Sequence, residues 1–222
     1  MKEKWDEVWS KEFSQKVIHF RQFEEIENIL GSLEGKRVLE VGCGTGVDSL
    51  NMGILYRTDN YCLDYSQNSI EIVKKAFDTK DVSVKLAVAD LKYIPYKEKY
   101  FDVVFSNGVM EHFKDIRAPL REQRRVLDDD GIIVFGVPFA YTLYEIKKDI
   151  KSLFNRWEYG WERGLTVSKI KKSAEEEGLG LVHYYYDAHP RNYLPKSLNG
   201  TFVNFLINGG VVAFLKKDMH YR

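Results

Sequence analysis

Residues 38–46, Val38-Leu39-Glu40-Val41-Gly42-Cys43-Gly44-Thr45-Gly46, decide the fold: an apolar strand runs into three alternating glycines. A turn without side chains at 42, 44 and 46 lets a ligand lie directly against backbone amides, where a Cβ would collide with it. The dinucleotide fingerprint is spaced G-x-G-x-x-G, its third glycine allowing the first helix to cross the strand closely. Here that third position is Val47. The glycine falls at 46 instead, giving G-x-G-x-G after an acidic strand residue.

Outward from this turn the chain alternates strands and helices. Before it, apolar residues three or four apart across residues 3–30 read as one or two amphipathic helices ending at Gly31. After it come a helix from about 48 to 56, a strand at 61–64, a helix over 67–77 capped by Ser66, and a strand at 82–88. Residues 91–100 contain Pro95 and little periodicity, which predicts a loop. The run 101–106 is continuous and apolar, as suits a strand buried on both faces. A helix over about 116–127 then stops at Asp128-Asp129-Asp130-Gly131, and 132–137 form the next strand. Residues 138–165 read as irregular, 166–177 as a helix closed by Gly178, and two last strands fall near 180–187 and 210–216. The pattern implies a doubly wound α/β sheet, mostly parallel and covered by helices on both faces, with its ligand at the carboxyl ends of the strands.

With 222 residues the expectation is one domain. It divides into an N-terminal helical cover (1–31), a core (37–137), a lid and acceptor insertion (138–165), and a C-terminal helix with the last two strands (166–222). Lys and Arg number 33, as do Asp and Glu. The balanced charge supplies no field to gather polyanions, so neither nucleic acid nor an anionic membrane is expected as a partner. Cys43 and Cys62 stand where small apolar residues belong, which argues against a disulfide framework. The charged amphipathic start and the interrupted apolar run 202–215 resemble neither a secretion signal nor a membrane span, so a cytoplasmic location is expected. His19, His183, His189 and His220 form no ligand spacing with the cysteines, and no metal is expected.

Asp64 ends the second strand, where a carboxylate can accept from both hydroxyls of a ribose lying over the glycine turn; a helix-entry role is the plainer alternative. Ala87-Val88-Ala89-Asp90-Leu91 puts a second carboxylate at the end of the third strand, in reach of an adenine amino group or serving as a loop cap.

Together Glu40 with the glycines, Asp64 and Asp90 resemble, motif by motif, the class I S-adenosylmethionine-dependent methyltransferases. The resemblance continues through Ile94-Pro95-Tyr96, Phe101 to Val104, Asn107-Gly108-Val109-Met110-Glu111-His112 and Leu127 to Gly131, covers roughly 37–137, and is nearest to the broad small-molecule group. It implies a Rossmann-like seven-stranded sheet with the last strand antiparallel. It also implies S-adenosylmethionine as cofactor, S-adenosylhomocysteine as product and a small-molecule acceptor. The cofactor's methionine part would lie on Gly42, Cys43, Gly44 and Gly46, with the backbone of Asn107 and Gly108 facing its amino group. Glu40 would orient that end at one remove, and Tyr65 and Leu91 would pack on the adenosine.

Methyl transfer is an in-line displacement, so positioning and water exclusion supply most of the acceleration. A base is needed only for a hydroxyl or an acidic carbon. His112, just after the fourth strand, is the histidine placed for that task, and a part of the cleft wall otherwise. Trp5 and Trp9 in the N-terminal helix, and Trp157 and Trp161 in the insertion, are paired four apart on one helical face each. With Phe139, Tyr141, Tyr144 and Tyr159 they form either an aromatic cover over the cleft or an ordinary packing cluster. Two other classes share the sheet: a nicotinamide-dependent oxidoreductase, disfavoured by Val47, and a catalytically silent methyltransferase-like partner protein, disfavoured by the intact glycines and Asp64.

Overall fold

The computed structural model describes residues 20–154, 161–188 and 209–218. Seven strands form one sheet: β1 (Arg37–Val41), β2 (Asp59–Asp64), β3 (Val84–Val88), β4 (Phe101–Asn107), β5 (Leu127–Pro138), β6 (Leu179–Ala188) and β7 (Gly209–Lys217). Their order is β3-β2-β1-β4-β5-β7-β6. β1 to β5 pair in parallel, and β7 inserts antiparallel between β5 and β6. The helices are α1 (Phe20–Leu30), α2 (Val47–Tyr56), α3 (Gln67–Lys80), α4 (Arg117–Val126), α5 (Leu143–Leu153) and α6 (Val167–Glu175). The expected Rossmann-like sheet is present, with its switch point between β1 and β4.

Strand side chains alternate between two buried layers, which is why the central strands read as mainly apolar runs. Leu39, Val41, Leu63, Ile133 and Phe135 face one side and pack with Leu120 of α4 and Ile170 of α6. Val38, Val103, Phe105, Val134 and Phe214 face the other, against Phe23 and Ile26 of α1 and Met52 of α2. Next to that second layer, Leu50, Ile70, Val73 and Phe77 close α2 and α3 over the free thiols of Cys43 and Cys62. At about 1.5–3 kcal/mol for each fully buried large apolar side chain, these layers carry the fold.

Three expectations are corrected. Residues 138–165 are not wholly irregular, because α5 occupies Leu143–Leu153. Its apolar residues Leu143, Ile146, Ile150 and Leu153 do keep helical spacing, but all four are exposed, so the stripe is not a core signal. The triple aspartate does not separate helix from strand: β5 starts at Leu127, and the register jumps from Phe101↔Leu127 to Val103↔Ile132, which absorbs Asp128–Asp130 as a bulge. The third strand is shorter than expected, running from Val84. The loop 91–100 matches expectation. α4 holds it through Arg125, which donates to the carbonyls of Tyr96 (2.9 Å) and Ile94 (2.8 Å).

The insertion returns to its origin. The Leu165 amide donates to the Pro138 carbonyl at 2.9 Å and the Ala140 amide to the Leu165 carbonyl at 3.2 Å, so α5 sits on an excursion with both ends pinned beside β5. Residues 1–19, including Trp5 and Trp9, and residues 155–160, including Trp157 and Tyr159, lie outside the described residues. Among the described residues no helix is long and apolar enough to cross a membrane.

Candidate active site

The glycine turn is left-handed at all three glycines, with φ of 66°, 53° and 66° at Gly42, Gly44 and Gly46, a region that residues with a Cβ rarely enter. Two of its amides are spent on β2: Gly42 and Cys43 both donate to the Leu63 carbonyl, at 2.7 and 3.1 Å. Gly42 also lies against the far wall, since a Cβ there would come within 2.5 Å of Val109 Cγ2. A Cβ on Gly46 would meet Val73 of α3 at 2.8 Å.

Asp64 fastens this turn. Its Oδ2 accepts the Gly44 amide at 2.9 Å and its Oδ1 the Ser66 amide at 2.9 Å, while Ser69 Oγ donates to the Gly44 carbonyl at 2.6 Å. Burial raises the Asp64 carboxyl above its ordinary range, and these amide donors oppose the rise. The Ser69 side chain and the Tyr65 amide add to those donors, so the carboxylate is well supplied from within the turn. Tyr65 beside it is partly exposed and Leu91 is buried. Asp90 is half-buried, its Oδ1 accepting the Lys92 amide at 2.9 Å and its Oδ2 lying 3.4 Å from Lys92 Nζ. The loop-cap role weighed for Asp90 is thus present in the geometry.

Behind the turn lies a buried polar layer. Glu40 Oε2 accepts the Ser49 amide at 3.2 Å in the first turn of α2, where the helix dipole favours an anion. Burial, then Cys62 and Asp48, push the Glu40 carboxyl well up. Asn107 Nδ2, at the end of β4, donates to Gln22 Oε1 of α1 at 2.9 Å and to Asp48 Oδ2 of α2 at 3.1 Å. Sequence reasoning missed both Gln22 and Asp48. Asp48 carried a signal, an acid at a helix start just after the glycine turn. Gln22 carried none, being one polar residue among many in an amphipathic helix.

After β4 a single 3-10 turn, Met110–His112, brings Glu111 and His112 to the insertion. His112 Nδ1 lies 3.0 Å from the Trp161 carbonyl, which only accepts; the neutral ring therefore carries its proton on Nδ1 and leaves the lone pair on Nε2. Burial lowers the His112 pKa, so the ring is neutral near pH 7. Glu111 is the residue most plainly missed. It is 5% exposed, and burial, with Glu162 and Glu145 adding to it, lifts its carboxyl to about 8. The Arg163 amide donates to its backbone carbonyl at 3.0 Å. Around it Lys148 Nζ pairs with Glu145 Oε2 at 2.6 Å, and Tyr144 OH donates to Glu162 Oε1 at 2.7 Å. Tyr141 and Trp161, expected in an aromatic cover, are 76% and 44% exposed, and neither is buried over the glycine turn.

Residues 39–135 match the family described as Methyltransferase domain. With the sheet order and the glycine turn, the matched residues are similar to those of the class I S-adenosylmethionine-dependent methyltransferases. Among curated relatives it is 26% identical over 212 residues to the ubiquinone biosynthesis O-methyltransferase of Bordetella avium, covering 90% of this chain and 86% of that protein. It is 26% identical over 149 residues to the mitochondrial arginine-hydroxylase NDUFAF5 of Danio rerio, covering 62% of this chain and 44% of that one. The chain spans about half the length of the curated relatives it first matches, from 44% to 57%. Among solved structures, the putative methyltransferase in complex with the Haloferax volcanii Trm112 activator superposes with a TM-score of 0.74 at 14% identity, over 100% of this chain and 99% of that one.

Proposed function

We propose that this chain transfers a methyl group from S-adenosylmethionine to a small-molecule acceptor, in a cytoplasmic setting. The observation that carries the reading is the glycine turn, held left-handed at three positions and fastened through Gly44 to Asp64. The neighbouring backbone also fits a ligand: among the described residues, a Cβ on Gly108 would meet nothing nearer than Glu111 Oε1 at 3.6 Å. In this reading Gly42, Cys43, Gly44 and Gly46 cradle the methionine part and the Asn107–Gly108 backbone faces its amino group. Asp64 takes the ribose, and Asp90 takes the adenine amino group, with Tyr65 and Leu91 as its walls. Glu40 and Asp48 brace the turn from beneath.

The bound cofactor supplies an electrophilic methyl on a sulfonium. The chain's own part is to hold the acceptor in line, exclude water and remove a proton, for which His112 Nε2 is the assigned base. The described part of the insertion, α5 and residues 161–165, forms the acceptor side. Calorimetric titration with S-adenosylhomocysteine and with NAD, followed by turnover of S-adenosylmethionine against small acceptors, tests the reading. Binding of the first alone, with turnover, is expected. Affinity for NAD alone overturns it, and cofactor binding without turnover on any acceptor reduces the chain to a methyltransferase-like partner protein.

A further inference from the structure

Three glutamates and one lysine meet where the 3-10 turn after β4 touches the insertion. Lys148 Nζ is committed to Glu145 Oε2 at 2.6 Å and to the Glu162 carbonyl at 2.8 Å. Glu145 Oε2 also accepts the Gly164 amide at 3.0 Å, and Tyr144 serves Glu162. Two carboxylate oxygens are left over, Glu111 Oε2 and Glu145 Oε1, buried and without a hydrogen-bond partner among the described residues. Both residues are more than nine-tenths buried, at 5% and 8% exposed. Glu145 lines a hollow of about 500 Å³ together with Tyr141, Leu143, Ile146 and Asp149. Glu111 Oε1 reaches to the end of β4 beside Gly108.

We propose that Glu111 and Glu145 recognise a basic nitrogen on the acceptor, so that the small molecule methylated here is an amine. This deepens the methyltransferase reading and rests on it. Buried carboxylate oxygens are stabilised by donors and by positive charge, and the cluster holds one lysine against three acids. An alcohol offers one O–H donor. A protonated amine offers two or three together with the compensating charge, which matches two buried, unpartnered oxygens on two different elements. The apolar side chains of the hollow suit the carbon skeleton beside the nitrogen.

The reaction balances without a further reagent. The ammonium nitrogen gives a proton to His112 Nε2 and recovers its lone pair. That pair forms the new nitrogen–carbon bond, the carbon–sulfur pair returns to sulfur as a neutral thioether, and His112 passes its proton to solvent.

The test is binding to the full chain loaded with S-adenosylhomocysteine, read by calorimetry with 2-phenylethylamine, ethanolamine and putrescine, each against its alcohol analogue. At least one amine is expected to bind about tenfold or more tighter than its alcohol, and Glu111→Gln to erase that preference while cofactor affinity changes less than about twofold. Glu111→Asp, which keeps the charge, should restore part of the preference. Equal binding of all amines and alcohols overturns the proposal, as does a preference that survives Glu111→Gln. If Glu111→Gln weakens S-adenosylhomocysteine and spares the amines, the carboxylate serves the cofactor's own ammonium and the proposal fails. Should the homocysteine product not bind at all, the methyltransferase reading fails; the amine preference and its loss in Glu111→Gln are then read on the unloaded protein and decide the recognition site separately.

Discussion

Asp64 Oδ2 accepts the backbone N–H of Gly44 at 2.9 Å, across twenty residues of chain. One carboxylate thus holds the shape of the glycine turn from the end of the neighbouring strand. Asp64→Ala should therefore do two things. The Gly44 and Ser66 amides lose a buried acceptor, at roughly 1–3 kcal/mol for a buried group left unsatisfied, so thermal stability falls. Affinity for S-adenosylhomocysteine should fall tenfold or more, while Asp64→Asn, which keeps one oxygen, is milder on both counts. Calorimetry showing wild-type affinity for the alanine variant would take Asp64 out of the site.

Gly44 has φ of 53°, and a β-branched side chain there would be strained by about 1–3 kcal/mol and would project into the proposed methionine cradle. Gly44→Val should fold, with native far-ultraviolet dichroism and a lowered melting temperature, and bind no S-adenosylhomocysteine. Retained binding would mean that the turn is structural alone.

The His112 tautomer gives a kinetic prediction. With Nδ1–H donated to the Trp161 carbonyl and a lowered pKa, the ring is an acceptor at Nε2 through the neutral range. His112→Gln should lower turnover by about 10²–10⁴-fold, spare cofactor affinity and remove the acidic limb of the pH–rate profile. A loss below tenfold with the limb intact would make the residue a wall of the cleft.

Glu111 predicts how stability depends on pH. Its folded-state pKa is raised from the ordinary 4.5 to about 8, by burial and then by Glu162 and Glu145, with Lys148 opposing. A raised carboxyl contributes stability that is complete below its unfolded pKa and is lost as pH climbs through the folded value. The unliganded protein should therefore melt lower at about pH 9 than at about pH 6, and Glu111→Gln should flatten that difference. A tenfold difference in proton affinity between the folded and unfolded chain is worth about 1.4 kcal/mol, and for a domain of this size the melting temperature moves by about 2–4 °C per kcal/mol. Equal slopes in the two proteins would assign the alkaline loss to another group.

The sheet and the glycine turn were legible because each is written locally. Val38 to Val41 and Phe101 to Phe105 are apolar runs of strand length, and Gly42, Gly44 and Gly46 are where the backbone needs its freedom. What escaped was written at a distance. Gln22, Asp48 and Asn107 come from two helices and a strand, and only the finished packing joins them. Glu111 stood next to the His112 that drew notice, but a glutamate in a sequence shows nothing of its burial. α5 did carry a signal, Leu143, Ile146, Ile150 and Leu153 at helical spacing, but its apolar face points outward, the reverse of what such periodicity is usually taken to mean. The aspartate run looked like a helix stop, since a bulge and a turn draw on the same residue types.

Gly42 has no room for a methyl group because Val109 fills the space, so the glycine turn and the turn that carries Glu111 and His112 are in hard contact across the mouth of the sheet. A rigid contact of that kind imposes a sequence of events. A ligand on the first turn is expected to press on Val109, and so to set the position of Glu111 and His112 before a second molecule is received. Ordered addition, cofactor first and acceptor second, is the expected steady-state signature of this arrangement. Product-inhibition patterns would reveal it, and a random order would show that Val109 yields.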